Sequence, residues 1–416
     1  MMKHIYTSLD IGSNTIKIVV CELYQGQLHL LASSSHQSKG IKKGLITDVD
    51  LATKSIKEAL NEIEEMLDIK IKKIITSVPS FNAEYTIIKG NVKIKNPDSI
   101  VTREDVISCL EVAAKTVSYS TREMVTILPV DYSVDDKSLT TNPRGMHCEN
   151  LGCRAVLVTV PKKNIYSVVG LLERIGVEVV DISINNIGDL YTFNNKQFED
   201  KIGVIINIGN DITSVSLYNK SILVKSSIID MGGKNIDNDI SYMYKVDLPT
   251  ARDLKLKFAL AHKKNASVND IVEVKNATNN NFKINQFEIS EIVMSRLIEL
   301  LTEAKKEINV LTSRKIDYII VTGGTSNMQG FEYVVRDVFG DSSNIGNVKM
   351  LGIRDNMYSS CVGNLVYFLS KLKLKGKDYT MINDEEVNQA TSITSKKLSS
   401  SDSMLGKIFG FFFTES

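Results

Sequence analysis

Three short turns in the chain combine an acid or amide, a glycine and small polar residues in a way that a phosphate group can use. The first is Asp10-Ile11-Gly12-Ser13-Asn14, set between apolar runs at 5–9 and 15–23. Glycine lets the backbone turn tightly and approach an anion, and successive amide hydrogens then form a nest for it. Ser13 and Asn14 add polar side chains, and Asp10 can hold the water shell of Mg²⁺, which keeps several waters and takes one or two carboxylates. The second turn, Asn207-Ile208-Gly209-Asn210-Asp211, lies between runs at 202–206 and 212–218 and repeats the same context in the other half of the chain. The third is an apolar strand at 316–322 that breaks into Gly323-Gly324-Thr325, where paired glycines let a flat base or ribose lie on the backbone. A further pair, Gly232 and Gly233, stands between Met231 and Lys234 ahead of a helix at 235–244. One such turn is ordinary hairpin chemistry. The ordered set, with its duplicated hairpin, predicts a polyphosphate clamped between two lobes.

Other chemistries lack their residues. There is no Ser/His/Asp signature, no HExxH and no GxxxxGK[ST] loop. The five cysteines are odd in number and scattered, as expected of reduced cytosolic thiols. Cys148 and Cys153 neighbour His147 and Glu149, but their spacing matches no zinc pattern, so the segment reads as a surface loop with incidental thiols.

The elements that must position these turns follow from periodicity. A chain of 416 residues, 43% apolar and 24% charged, can bury two or three domain cores. Strands alternate with helices, which predicts an α/β architecture. Val49, Ala52, Ile56, Ala59, Leu60, Ile63 and Leu67 recur with helical period, and a strand is expected at 72–78. Residues 81–160 read as an insertion with strands at 85–94, 124–134 and 155–160, and a helix capped by Thr102 and Asp105. Helices are expected at 162–175, 235–262 and 289–311. The expected division is 1–80 with 161–190 and 350–375 as one lobe core, 191–235 with 316–349 as the second, and 236–315 as the second lobe's small subdomain.

From 376 to 403 the composition is that of a disordered linker. It runs into MLGKIFGFFF. On a wheel of about 100° per residue, Met404, Leu405, Ile408, Phe411 and Phe412 share one face, widened by Phe409 and Phe413. An amphipathic helix lying in a membrane interface is the expectation for 404–416. Net charge is +1 and no basic run occurs, so nucleic acid is not an expected partner. The N-terminal MMKHIYTSLD lacks a signal-peptide core, and no apolar stretch reaches the roughly 18 residues a membrane span needs.

With these segments in order, the chain resembles the actin-like ATPase superfamily, and within it the FtsA family of bacterial cell-division proteins. The similar stretches are YTSLDIGSNTIKIVV, SKGIKKGLITD, GVIINIGNDITSVSLY, IDMGGKNIDNDIS, ARDLKLKFALA, ISEIVMSRLIELLTEA, VTGGTSNMQGF and LGIRDNMYSSCVGNL. The resemblance implies an actin-like two-lobed fold of duplicated ribonuclease H-like domains, with the family's own inserted subdomain at 81–160. It implies ATP and Mg²⁺ as ligands, held by Asp10, Gly12, Ser13, Asn14 and Lys17, by Asn207, Gly209, Asn210, Asp211 and Thr213, by Gly232, Gly233 and Lys234, by Arg252 and Lys255, and by Gly323, Gly324 and Thr325. It further implies head-to-tail filaments, attachment to the cytoplasmic face of the membrane at the division septum, recruitment of other division proteins, and binding of the tubulin-like FtsZ through 236–315, where Arg296 and Glu299 match residues implicated in that contact.

Two positions depart from the pattern. Asn207 stands where the superfamily usually has aspartate, and Arg252 where the family often has glutamate near the ribose. An amide adds no negative charge to hold Mg²⁺ or order a water, so ATP binding with slow or absent hydrolysis is expected. The competing reading is a sugar-kinase- or exopolyphosphatase-like phosphotransfer enzyme of the same superfamily. It would need a base near the phosphate, for which Asp211 is the nearest carboxylate.

Overall fold

The computed structural model describes residues 4–118, 120–275 and 281–382. The expected linker beyond 382 and the membrane segment 404–413 lie outside these residues.

Two five-stranded sheets share one layout. In the first, His4–Ile11 is central; it pairs antiparallel with Thr15–Tyr24, which pairs antiparallel with Gln27–Gln37. On its other side lie Lys73–Val78 and then Glu178–Ile184, both parallel. In the second sheet, Ile202–Ile208 takes the central place, with Thr213–Asn219 and Ile222–Ile229 antiparallel on one side and Tyr318–Thr322 and Ser343–Ile345 parallel on the other. Equivalent strands in equivalent order and direction are the structural form of the duplicated glycine hairpin.

The helices cover these sheets for reasons visible in the sequence. Helix Val49–Leu67 buries Ala52, Ile56, Ala59, Leu60 and Ile63; Asp48 caps its start by accepting the Leu51 amide, and Asp68, left-handed at φ 52°, ends it. The region 235–262 holds two helices, Gly233–Tyr244 and Leu248–Lys257. Lys245 turns left-handed between them, and Asp247 caps the second by accepting the Thr250 amide, with Pro249 in its first turn. Helices Asn185–Phe193 and Ser359–Lys375 cross without room for a side chain, since a Cβ on Gly363 would lie 1.7 Å from the Gly188 carbonyl oxygen.

The insertion has its own sheet, ordered Glu84–Lys93, Asn150–Pro161, Arg122–Val134 and Ser138–Thr140, packed on helix Arg103–Ala114. That helix starts with the expected Thr102/Asp105 capping box. Cys148 and Cys153 are buried in the insertion's core, not carried on a surface loop: Cys153 lies within a strand, and its thiol donates to the carbonyl of Cys109 at 3.3 Å. Among the described residues, no group of three or more His, Cys, Asp or Glu side chains can hold a metal ion.

The expected linker start at 376 also needs correction. Thr380 accepts the Ile5 amide at 3.0 Å, the Tyr6 hydroxyl donates to the Tyr379 carbonyl at 2.6 Å, and Met381 and Ile382 are buried. The two apolar side chains keep this polar-looking stretch on the first lobe as far as Ile382.

Candidate functional site

The two hairpin turns close in the same way. Gly12 donates its amide to the Thr15 carbonyl at 3.1 Å, and Gly209 donates to the Ile212 carbonyl at 3.0 Å. Strand register then sets the side chains beside each turn. Asp10 lies opposite Lys17, so both project on one face and form a buried ion pair of 2.6 Å. Asn185 donates to the other oxygen of Asp10 at 3.2 Å. In the second turn the equivalent pair is Asn207 opposite Ser214, without charge. Asn207 is oriented instead by Asp189, which accepts its Nδ2 at 2.8 Å.

Asp189 is fully buried and also accepts the hydroxyls of Ser359 at 2.6 Å and Ser360 at 2.9 Å. Burial pushes its carboxyl up to about 6 against the pull of these hydrogen bonds. It joins the helix between the lobes to the strand that carries the second turn.

The third turn presses on the second. Gly323 has φ 92°, and a Cβ there would lie 2.5 Å from both Asn207 Oδ1 and the Ile208 carbonyl oxygen, so glycine is required twice over. The Gly233 and Lys234 amides donate to the carbonyls of Gly209 and Asn210, each at 2.9 Å. Lys255 is buried, pairs with Asp237 at 2.6 Å and donates to the Gly233 carbonyl at 2.8 Å. Burial lowers its pKa most, Asp237 opposes that, and the nearby Arg252 charge lowers it further.

Together these elements enclose a cleft of about 390 Å³ between the lobes. The first lobe contributes Asp10, Gly12, Ser13, Asn14 and Lys17. The second contributes Asn207, Gly209, Asn210, Asp211, Gly233, Arg252 and Lys255, with Gly323, Gly324 and Thr325 from the third turn. Three expected residues do not line it. Thr213 is buried with its hydroxyl on the Met231 carbonyl, Gly232 packs on the carbonyls of Gly209 and Asn210, and the Lys234 side chain is exposed. Their part is to hold the second turn in place.

Other lining residues went unread in the sequence. Ser80 is the first lobe's counterpart of Thr325: Ser77 and Thr322 pair with Asp10 and Asn207, and Ser80 and Thr325 each follow three residues later. That shared offset was a usable signal. Asn185, Asn327 and Asp355 carry no comparable one. Leu256, Met328 and Met357 add apolar wall on which a base can lie.

Among the described residues, links across the cleft include the Asn327–Asp355 hydrogen bond and two more. Arg252 donates from Nη1 to Asn14 Oδ1. The strap at 41–46 reaches over from the first lobe: the Lys43 amide donates to Asp211 at 3.1 Å, its Nζ pairs with Asp230 at 2.6 Å, and the Gly44 amide donates to Ser13 at 2.9 Å. Arg296 lies away from the cleft, where it forks onto Asp239 at 2.5 and 2.8 Å and reaches Glu299 at 2.8 Å, tying helix Gln286–Leu311 to helix Gly233–Tyr244.

The cleft fits a nucleotide in size and chemistry. Its volume is within the range of small-molecule sites. The amide oxygen of Asn185 and the hydroxyl of Ser80, both on its lining, are buried without a protein partner. For Mg²⁺ the fit is indirect, because both oxygens of Asp10 already have donors and a hydrated ion would meet it through water.

A family model described as "Cell division protein FtsA" matches residues 204–363, and one described as "SHS2 domain inserted in FTSA" matches 83–159; together they span more than half of the chain. The cell division protein FtsA of Bacillus subtilis is 27% identical over 398 residues, covering 94% of this chain and 89% of the relative. That of Streptococcus pneumoniae is 27% identical over 365 residues, covering 86% and 78%. Among solved structures, a chain of the PilM-PilN type IV pilus biogenesis complex superposes with TM-score 0.58 at 14% identity over 87% of this chain and 98% of that one. MreB5 of Spiroplasma citri bound to ADP gives 0.54 at 14% over 90% and 99%. These structures show the fold, which is actin-like with an inserted SHS2 subdomain. Matching family models in both the insertion and the second lobe, with relatives aligned along most of the chain, place this protein in the FtsA family of bacterial cell-division proteins.

Proposed function

We propose that the protein is an ATP-binding, polymerising adaptor that tethers FtsZ filaments to the cytoplasmic face of the membrane at the division septum and helps recruit other division proteins. The observation that carries the nucleotide reading is the pair of equivalent hairpin turns, one per lobe, facing one cleft with Gly323 behind them. MreB5 of Spiroplasma citri, of the same fold, has been solved with ADP and with AMPPNP, which supports nucleotide in this position. The turn amides and Lys17, Lys255 and Arg252 would hold the phosphates, with Mg²⁺ meeting Asp10 through water. The phosphates of bound Mg²⁺-ATP would bridge the turns of the two lobes and so draw the lobes together.

Hydrolysis is proposed to be slow or absent. Asn207 cannot act as a base and donates to Asp189, while Asp211 accepts from Lys43 and from Asn210. FtsZ is proposed to bind the small subdomain at 236–315, with Glu299 more available than Arg296, whose guanidinium is already forked on Asp239. Protomers are proposed to stack head to tail, and 404–413 to lie in the lipid interface. No helix among the described residues is long and apolar enough to cross a membrane.

The test is co-sedimentation of the protein and FtsZ with lipid vesicles, with and without Mg²⁺-ATP, beside an assay of phosphate release. FtsZ carried to vesicles only when this protein is present, with little phosphate released, is the expected result. Rapid transfer of phosphate to a small-molecule acceptor without FtsZ recruitment would favour the phosphotransfer enzyme instead.

A further inference from the structure

We propose that Arg252 is the polyphosphate-reading residue of the cleft, a cation that exchanges a neutral partner, Asn14, for the phosphates of a bound nucleotide; this rests on the nucleotide reading above. Three cations line the cleft: Lys17, Lys255 and Arg252. Lys17 is neutralised by Asp10 at 2.6 Å, and Lys255 by Asp237 at 2.6 Å, all four side chains being buried. Arg252 differs. Among the described residues no carboxylate pairs with it, and its hydrogen bond goes to the amide oxygen of Asn14, in the first phosphate turn on the opposite lobe. The lining carboxylates do not compete for it: Asp10 holds Lys17 and Asn185, Asp211 holds Lys43 and Asn210, and Asp355 accepts Asn327 and the Met357 amide.

The positive charge of Arg252 also bears on Lys255, one helical turn away, so two like charges face the cleft and the one carboxylate paired there, Asp237, is held by Lys255. An anion relieves that repulsion. A guanidinium has five N–H donors in a planar fork and spends one on Asn14; a phosphate offers it an opposite charge and a second, parallel acceptor, neither of which the neutral amide oxygen supplies. The exchange is therefore favourable for a polyphosphate and has no driving force for a nucleoside. Because Asn14 and Arg252 sit on opposite lobes, the guanidinium already spans the path that the phosphates must take between the turns.

The experiment is calorimetric titration of the full chain with adenosine, AMP, ADP and ATP at fixed ionic strength and excess Mg²⁺, for the wild type and for Arg252→Ala and Arg252→Lys. Wild-type affinity should rise with each phosphate. Arg252→Ala should weaken ATP binding roughly 10- to 100-fold, the loss expected for one charge-assisted hydrogen bond. It should change adenosine binding by less than about three-fold, flattening the dependence on phosphate number. Arg252→Lys, which keeps the charge without the fork, should fall between and guards against a misfolded alanine variant. An unchanged ATP affinity in Arg252→Ala, or an equal loss for adenosine and ATP, overturns the role of Arg252 while leaving a nucleotide site. A wild type that binds none of the four overturns the nucleotide reading itself, and this inference with it.

Discussion

Asp189 is a buried acid with three donors and, among the described residues, no cationic partner, and that combination has a pH signature. Its folded pKa of about 6 lies above the 3.8 of an ordinary aspartate, with burial the largest cause. Between those values the folded protein holds a proton that the unfolded chain has lost, so stability falls as pH rises from about 4 to about 6 and stays lower above. The shift corresponds to a penalty on the order of 2–3 kcal/mol at neutral pH. Asp189→Asn removes the titration and can still be hydrogen-bonded, since the Ser359 and Ser360 hydroxyls can rotate to donate or accept. Its urea midpoint should therefore gain on the wild type progressively between pH 4 and pH 6. A difference that stays flat over that range would rule out Asp189 as the titrating group. The penalty is tolerated at the junction between lobes, where a charge anchored on Asn207 ties the second turn to helix Asn185–Phe193.

At the scale of elements, the strap at 41–46 invites a comparison of its ties. The Lys43–Asp230 pair is largely exposed, at 33% and 62%, and solvent screening leaves such a pair worth less than about 1 kcal/mol. The two amide bonds, to Asp211 and Ser13, are part-buried and directional. Lys43→Ala should thus change stability little. Asp211→Ala and Ser13→Ala should each speed hydrogen exchange at one amide, Lys43 and Gly44 respectively, by about ten-fold for a bond worth roughly 1.4 kcal/mol. Equal acceleration of both amides in either variant would mean that the strap opens as a unit and the separate ties do not matter. The strap joins the two turns through the side chains of Ser13 and Asp211, far apart in sequence, so the local pattern of 41–46 could not reveal it. Elements with strong periodicity, such as Val49–Leu67, were legible, as were the hairpins flanking Gly12 and Gly209. Gln27–Gln37 was not: it is an edge strand with mostly polar, half-exposed side chains, and only its pairing with Thr15–Tyr24 makes it a strand. For the same reason Thr213, Gly232 and Lys234 looked like ligands, since a glycine or polar residue that shapes a turn and one that touches a phosphate have the same sequence signature.

For the whole molecule, the position where the described chain ends constrains how nucleotide and membrane can communicate. Met381 and Ile382 are packed against the first lobe beside Ile5, and Ser359–Lys375 anchors there as well. The described chain thus ends on one lobe, and closure of the cleft would not move that end relative to its lobe. If 383–403 is the linker expected from its composition, its roughly 20 residues would reach up to about 70 Å when extended, which would further uncouple the tail from lobe angle. On the proposed reading, seven large apolar side chains in 404–413 would each contribute about 1.5–3 kcal/mol if fully buried, and partial immersion and ordering would leave a single tail binding weakly. Any dependence of membrane attachment on ATP must then arise through assembly, where neighbouring tails act at high effective concentration. Vesicle binding should accordingly be weak and indifferent to ATP at protein concentrations below assembly, and steep and ATP-dependent above it. It should be lost on deleting 404–416, with ATP affinity unchanged, and nearly insensitive to salt, since Lys407 is the one charge within 404–413. ATP-dependent binding by the isolated monomer would show that cleft closure reaches the tail directly and would reject the assembly route.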